Sequence, residues 1–328
     1  MILLTGATGE IGPYVIEALH NLGYKVRTLS MDPLPVNVRA TGIESRIGDV
    51  TNTSDVQSAM QGVDAVIHMA ALRQTMNPKT EVAEKYKRVN VGGTKTVVDE
   101  AIKADVKRIV FFSTIHVYGD ASNQIINELT TPQPDTLYAK TKLDGEKVVL
   151  SAKNNGQPIG VVLRLAAVYG PRVTGNYKQL LMVLAKNRFI PIGQGENRRT
   201  LIYVKDVANA AVLAMTHPSA GGQIFNVTDG KYHKMKEIIS VMCDALGRAK
   251  PHISIPVSPV RLVAGFTEDM ARIIGIQSPI TRAKIDKYTE DIAVDGQKIQ
   301  SFLGFTHQYD LRSGWQETVQ KLKNMDDL

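Results

Sequence analysis

Thr5-Gly6-Ala7-Thr8-Gly9-Glu10-Ile11-Gly12 follows directly on a short apolar run, Ile2-Leu3-Leu4, and precedes a segment with apolar residues at Tyr14, Val15, Ala18, Leu19 and Leu22. The run reads as a buried strand and the segment as an amphipathic helix. In that order the first free N–H groups of the helix stand where a pyrophosphate can meet them. Gly6 permits a tight turn, Gly9 lets the backbone approach a phosphate with no Cβ between them, and Gly12 lets the helix lie close on the strand. The turn, Glu10 and Ile11 included, therefore reads as a dinucleotide cradle.

Downstream, 25–29, 43–48, 65–68, 108–113 and 159–165 read as further strands, and 85–103 and 138–153 as long helices. Strands that alternate with helices form parallel βαβ units. The expectation is an α/β fold: a Rossmann-type doubly wound parallel sheet with a smaller C-terminal substrate-binding cap and ligands at the C-terminal strand ends. The rhythm changes after Gly170-Pro171, where glycine- and proline-rich loops interrupt short elements. This predicts an NAD(P)-binding domain at 1–170 and a part at 171–328 that is mainly cap, with about 199–228 returning to the first domain.

With 43% hydrophobic and 22% charged residues, 328 residues can bury a substantial core, which argues against disorder. No apolar run is long enough to span a bilayer, and Met1 opens a strand instead of a basic leader, so the expectation is a cytoplasmic protein with no membrane partner. A single cysteine, Cys243, excludes an internal disulfide framework and a cysteine-built metal site, and reads as a buried small hydrophobe; no metal is expected. The net charge of +7 is scattered, without helix-turn-helix or zinc-finger spacing, so no nucleic-acid partner is expected. The excess suits an anionic small substrate, and a solvated basic surface accounts for it equally.

Tyr138-Ala139-Lys140-Thr141-Lys142 sets a phenol and an ammonium four residues apart at a helix start, on one face. A nearby cation favours phenolate, so the pair predicts a Tyr138 that exchanges a proton with a substrate hydroxyl near neutral pH. Upstream, Phe112-Ser113-Thr114 ends a strand with hydroxyls at the tip where such a sheet presents its site.

Taken with Gly48-Asp49-Val50, Val66-Ile67-His68-Met69-Ala70-Ala71, Asn90-Val91-Gly92-Gly93-Thr94, Val168-Tyr169-Gly170-Pro171 and the run 199–208, the chain resembles an extended short-chain dehydrogenase/reductase of the NAD-dependent epimerase/dehydratase family. The resemblance implies that Tyr138 is the acid/base, Lys142 its partner and ribose ligand, and Thr114 the hydroxyl orienting the substrate oxygen. It implies that Asp49 accepts from the adenine amino group, with Val50 beside it, that Ala70 and Ala71 line the cofactor channel, and that Asn90 belongs to the same site near the catalytic strand. Arg199 would bind a substrate diphosphate through fork-like hydrogen bonds. Asn176 and Tyr177 would touch the nucleotide, although capping and packing explain them as well.

Several positions depart from the family pattern. Ser30 ends the second strand where NAD enzymes of the family commonly carry an acid; Asp32 lies two residues on, and Met31 stands where a cation for a 2′-phosphate is usual. Arg27 and Arg39 are the remaining candidates for that cation, and NAD is favoured over NADP. Ile115 and His116 replace the two carboxylates of the family's dehydratases, which speaks against a 4,6-dehydratase, and His116 reads as a satisfied strand-end histidine. Ala167 stands where many sugar epimerases have an asparagine. The segments 173–177 and 190–193 look like the amino-sugar reductase and epimerase branch, and Ile280-Thr281-Arg282 replaces an arginine-glycine-aspartate signature. The implied activity is a nucleotide-diphosphate-sugar 4-epimerase working on a UDP- or dTDP-hexose through a 4-keto intermediate. Its rivals are a 4-ketoreductase and a sterol-type hydroxyl dehydrogenase, the latter calling for an apolar pocket lined from 257 to 266. A non-catalytic NAD(P) sensor would have no use for Thr114, Tyr138 and Lys142 together. Family habit implies a homodimer built on the helices at 85–103 and 138–153.

Overall fold

Seven short segments, five of them largely apolar, assemble into one sheet: β1 (Ile2–Thr5), β2 (Val26–Ser30), β3 (Ile43–Ile47), β4 (Ala65–His68), β5 (Arg108–Thr114), β6 (Gly160–Leu165) and β7 (Ile224–Val227). The computed structural model describes residues 1–35, 38, 42–73, 80–120, 124–274, 278 and 281–328. The strands run in the order β7-β6-β5-β4-β1-β2-β3, and every neighbouring pair is parallel. This is the expected Rossmann-type sheet. The strand order reverses between β1 and β4, and the crevice outside their C-terminal ends is where such sheets bind ligands.

Alternation along the strands feeds two cores. Leu4, Ile67, Val110 and Leu163 pack with helices α1 (Gly12–Asn21) and α7 (Val204–Thr216) on one face. Leu3, Val66, Ile109 and Val162 pack on the other with α2 (Thr53–Met60), α4 (Thr94–Lys103) and α5 (Leu137–Leu150). The helix expected over 85–103 is in fact composite. A first segment, α3 (Thr80–Tyr86), passes into a π-helical turn over Lys87–Gly93 and then into α4. Gly93 lies at that turn so close to Val50 that a Cβ would stand 2.8 Å from Val50 Cγ2. Wide turns of this kind recur at functional sites.

The C-terminal part supplies α6 (Asn176–Ala185), α8 (Met235–Leu246), α9 (Val257–Ile273), α10 (Arg282–Thr289), α11 (Gln297–Leu303) and α12 (Leu311–Asn324). Within it, a buried polar pair ties the segment after β7 to the start of α8. His233, 3% exposed, sits with Nε2 2.6 Å from Asp229 Oδ2 and Nδ1 3.6 Å from Glu237 Oε2. Burial pulls its pKa down, but the hydrogen bond and charge of Asp229, with Glu237, outweigh burial and leave it raised above 6.5. A raised folded value means that the pair's stabilisation is complete below pH 6.5 and is lost as pH rises through the folded pKa. The expected result is a thermal midpoint that declines across that range in the parent and is flatter in His233→Gln. Parallel profiles would show that the pair does not titrate.

Candidate active site

The glycine turn is held by sterics. Gly6 has φ +71°, and a Cβ there would stand 2.7 Å from the backbone of Ala70; a Cβ on Gly12 would stand 2.0 Å from the carbonyl oxygen of Ala7. Helix α1 therefore lies directly on the turn. No side chain caps its N-terminus, which leaves its first N–H groups for a ligand. Around the turn opens a cleft of about 570 Å³, lined by Gly6, Gly9, Glu10, Ile11, Gly12, Ser30, Asp32, Asp49, Val50, Ala70, Ala71, Tyr138 and Lys142. Its features fit a dinucleotide. A Cβ on Gly9 would meet only the Gly6 carbonyl oxygen, at 3.2 Å, and the buried Ser30 hydroxyl has no protein partner among the described residues.

Not every lining group points to the ligand. The Glu10 carboxylate accepts from Arg73, from the Thr174 hydroxyl and from the Thr174 N–H at 3.0 Å. Glu10 thus ties the turn to two loops, and only its backbone suits a phosphate. Asp49 accepts from the Thr51 N–H at 2.8 Å, and its own N–H donates to Asp55 at 2.9 Å. Asn90 does not line the cleft. It is 1% exposed and sits on the π-helical turn, accepting from the Leu72 N–H at 2.7 Å and donating to the Thr141 hydroxyl at 3.1 Å. The sequence reading placed it in the cofactor site; its carboxamide instead fastens the loop after β4 to α5.

Thr136 caps α5, accepting from the Ala139 N–H at 3.2 Å, and so sets Tyr138 and Lys142 one turn apart on the cleft wall. Lys142 is 2% exposed, with its ammonium 4.0 Å above the Phe111 ring. Burial pushes it down to about 7, against the pull of Glu146. Burial also pushes the Tyr138 phenol up to about 12, with Tyr86 adding and Arg73 opposing. The spacing predicts a phenol eased toward phenolate. In the folded chain desolvation wins, and Tyr138 is a phenol at neutral pH.

A second cavity, of about 690 Å³, adjoins the first, and Leu165 at the end of β6 faces both. Thr114, Ile115 and His116 from the tip of β5 line it, with Ala167, Asn176, Tyr177 and Arg199. Tyr138 and Lys142 thus line one cavity and Thr114 the other. The Thr114 hydroxyl accepts from the His116 N–H at 3.3 Å. His116 makes no side-chain hydrogen bond among the described residues, so it is not the satisfied histidine expected. Burial, with Lys287 and Arg199 adding and Asp135 opposing, pushes it down to about 4, and it stays neutral above that pH.

Arg199 is 8% exposed, donates to the carbonyls of Lys287 and Tyr288 (3.0 Å for the latter) and lies 3.6 Å from Glu290, while its Nε has no hydrogen-bond partner among the described residues. Asn176 opens α6 behind Gly175, and it too lines this cavity. The sequence reading missed Lys284, Lys287 and Tyr288, which enter from α10, and Glu290, which follows it. Their one signal was the basic spacing of Arg282, Lys284 and Lys287, which scattered charge elsewhere concealed.

Two further expectations change. Arg27 cannot meet a 2′-phosphate, because its guanidinium is turned inward onto Glu44 at 2.8 Å and the Ala59 carbonyl at 2.8 Å; Arg39 lies outside the described residues. The stretch 257–266 lines neither cavity: Leu262 and Phe266 stand 76% and 69% exposed on α9. Cys243 is buried in α8, as read.

The family model for the NAD dependent epimerase/dehydratase family matches residues 2–228. The chain is 26% identical to the UDP-glucose 4-epimerase of Vibrio cholerae, over 97% of this chain and 94% of that one. It is 26% identical, with the same coverages, to the N-acetyl-alpha-D-glucosaminyl-diphospho-ditrans,octacis-undecaprenol 4-epimerase of Escherichia coli O157:H7. Its fold matches the structure of MoeE5 in complex with UDP-glucose and NAD, with a TM-score of 0.77, 23% identity and 99% of each chain covered. The glycine turn, the tyrosine–lysine turn of α5 and the hydroxyl at the tip of β5 all fall inside the matched span, and on that ground the chain belongs to the NAD-dependent epimerase/dehydratase family and is an enzyme of the extended short-chain dehydrogenase type.

Proposed function

We propose that the chain is a nucleotide-diphosphate-sugar 4-epimerase that uses NAD, with residues 1–170 holding the dinucleotide, the later residues mainly enclosing the sugar, and two copies pairing through α4 and α5. One observation carries this reading. The dinucleotide-shaped cleft, with Tyr138 and Lys142 on its wall, meets at Leu165 a second cavity that holds Thr114 and the cations Arg199, Lys284 and Lys287. Cations around a cavity of that size suit a diphosphate with its sugar turned to the shared wall. Relatives named for UDP-glucose and for a lipid-linked diphospho-sugar support the diphospho-sugar class and leave the nucleotide as the finer part of the proposal.

When bound, the dinucleotide supplies a hydride acceptor and donor. The protein's own part is protonic and positional. Tyr138 takes and returns the proton of the sugar's 4-oxygen, Thr114 orients that oxygen, and Lys142 supplies positive charge beside the dinucleotide. Asp32 favours NAD, because a carboxylate in the cleft repels a 2′-phosphate and Arg27 is turned away from it.

A 4-ketoreductase is the second reading, and the phenol state of Tyr138 favours it. A phenol held up to about 12 donates directly to a ketone oxygen, whereas taking a proton from a hydroxyl requires it first to give up its own. Denaturing the purified protein and identifying the released small molecules by absorbance and mass spectrometry separates the two. Stoichiometric NAD together with interconversion of 4-epimeric UDP- or dTDP-hexoses supports the epimerase. An empty site, reduction of a 4-keto sugar and no epimerisation supports the reductase.

Lys142 offers an independent check. Its charge is present below about pH 7 and lost above it. Affinity of the free protein for the anionic dinucleotide is expected to fall as pH rises through 7, and Lys142→Met to bind more weakly with no step there. A step that survives the substitution would assign it to another group.

A further inference from the structure

Nine of the nineteen large apolar side chains that stand exposed among the described residues fall within residues 183–190 and 253–274, so they are concentrated on a small part of the chain. Those segments meet in space: the Gly193 N–H donates to the Ile255 carbonyl at 2.8 Å, and the Ile255 N–H to the Pro191 carbonyl at 2.9 Å. From there α9 begins at Val257.

Helix α9 is amphipathic in the inverted sense. Leu262, Phe266 and Met270 step by four residues, and Val263, Met270 and Ile274 by seven and four, which sets all five on one stripe. That stripe faces solvent, with Leu262 76%, Phe266 69% and Ile274 65% exposed, while Ala264 and Ala271 form the buried side. Gly265 lies so close to α10 that a Cβ would stand 2.4 Å from the Arg282 guanidinium. The helix is thus packed by its small residues and presents its large ones outward. A soluble surface rarely gathers such a patch without a partner.

The charge around the stripe identifies the partner. Residues 183–193 and 247–263 contain Lys186, Arg188, Arg248, Lys250 and Arg261 and no acidic residue. Lys250 and Arg261 pair with Asp244 and Asp286 from neighbouring helices, at 3.1 and 2.8 Å. Lys186, Arg188 and Arg248 are exposed and make no ion pair among the described residues. Glu268, further along α9, lies off the stripe; Asp269, seven residues on from Leu262, borders it, and its charge is paired with Arg282 at 2.8 Å. Large apolar side chains bordered by unpaired cations match the interface of an anionic bilayer, where rings and branched chains enter the headgroup boundary and ammonium groups meet lipid phosphate. No described helix is long and apolar enough to cross a membrane, so the contact is peripheral.

We propose that the face formed by α9 and the 183–193 segment docks on an anionic lipid surface. Val183 and Phe189 also line the second cavity, and α10 supplies its Lys284 and Lys287, so docking sets that cavity beside the lipid. The proposal rests on the surface and stands whether the enzyme is an epimerase or a reductase.

Co-sedimentation of the full chain with vesicles tests it. Binding is expected to vesicles of phosphatidylcholine mixed with phosphatidylglycerol, to weaken with added salt, and to be slight with phosphatidylcholine alone. Lys186→Glu/Arg188→Glu should cut partitioning by at least roughly thirtyfold, at about fivefold per cation. Leu262→Ser/Phe266→Ser should cut it by at least about tenfold. Both variants should keep the parent's thermal midpoint and molar mass. No binding to anionic vesicles at low salt overturns the proposal, as does binding that both variants retain. If the parent ignores vesicles and Leu262→Ser/Phe266→Ser halves the molar mass measured by light scattering, the face is a contact between two copies, and the lipid proposal is wrong.

Discussion

Tyr138→Phe is expected to leave dinucleotide binding intact and to lower turnover by about 10²–10⁴-fold, the range for a positioned acid or base. The substitution removes one oxygen from a ring on the first turn of α5, whose start is fixed by the Thr136 cap. Nothing in the glycine turn depends on that oxygen. The loss should differ with direction. Because burial holds the phenol up to about 12, it is a ready donor to a ketone oxygen and a poor base toward a hydroxyl. Parent turnover in the oxidative direction should therefore rise with pH, while reduction of a ketone stays level until the phenol ionises. Both dependences should vanish in Tyr138→Phe. Turnover that survives within tenfold would remove Tyr138 from the chemistry and turn attention to the proton carriers that line the second cavity, His116 among them.

Local chemistry was legible in the sequence, and packing was not. A glycine turn between a strand and a helix is set by neighbouring residues, so the cradle at Thr5–Gly12 could be read directly. Six of the seven strands were read, four of them as short apolar runs bounded by turns; β7 was missed because Ile224–Val227 is brief and follows a stretch read as irregular. The π-helical turn at Lys87–Gly93 keeps helical periodicity closely enough to pass as ordinary helix. Four residues between Tyr138 and Lys142 place them on one face, but spacing says nothing about water. Burial, with the Phe111 ring of β5 under the ammonium, depresses Lys142 against the pull of Glu146 one turn on, and burial raises Tyr138 with Tyr86 of α3 adding; the chain brings these neighbours in from other elements or other turns. The α10 side chains reach the cavity of Thr114 across about half the chain, with no local motif to announce them. Arg27 shows the converse: as a cation on the second strand it was a candidate for a 2′-phosphate, and only the carbonyls of Ala59 and Gln61 reveal that it turns inward.

Behind the Tyr138–Lys142 turn of α5 lies an ion pair whose loss should be the costliest single change to stability. Arg164 on β6 and Glu146 on α5 are 3% and 1% exposed and meet in a two-pronged bridge, Nε to Oε1 at 3.0 Å and Nη2 to Oε2 at 2.6 Å. The Ser113 hydroxyl donates to the same carboxylate, and the guanidinium lies 4.7 Å over the Tyr118 ring, whose hydroxyl donates to Asn226 on β7 at 2.8 Å. One cluster therefore joins β5, β6, β7 and α5. Glu146→Ala strands a buried guanidinium, one of whose nitrogens, Nη1, has no hydrogen-bond partner among the described residues, and is expected to cost about 3–5 kcal/mol in urea unfolding. That is a large share of the roughly 5–15 kcal/mol of an ordinary domain. Because the penalty is mostly an unpaired charge, Glu146→Leu/Arg164→Met should recover most of it. The single variant should also shift activity. Glu146 is the charge that opposes the fall of Lys142, so without it the Lys142 titration should move below about 7, carrying the pH step in dinucleotide affinity with it. A single variant that loses less than about 1 kcal/mol would show that water reaches the guanidinium, and a step that stays in place would show that Glu146 does not set the charge of Lys142.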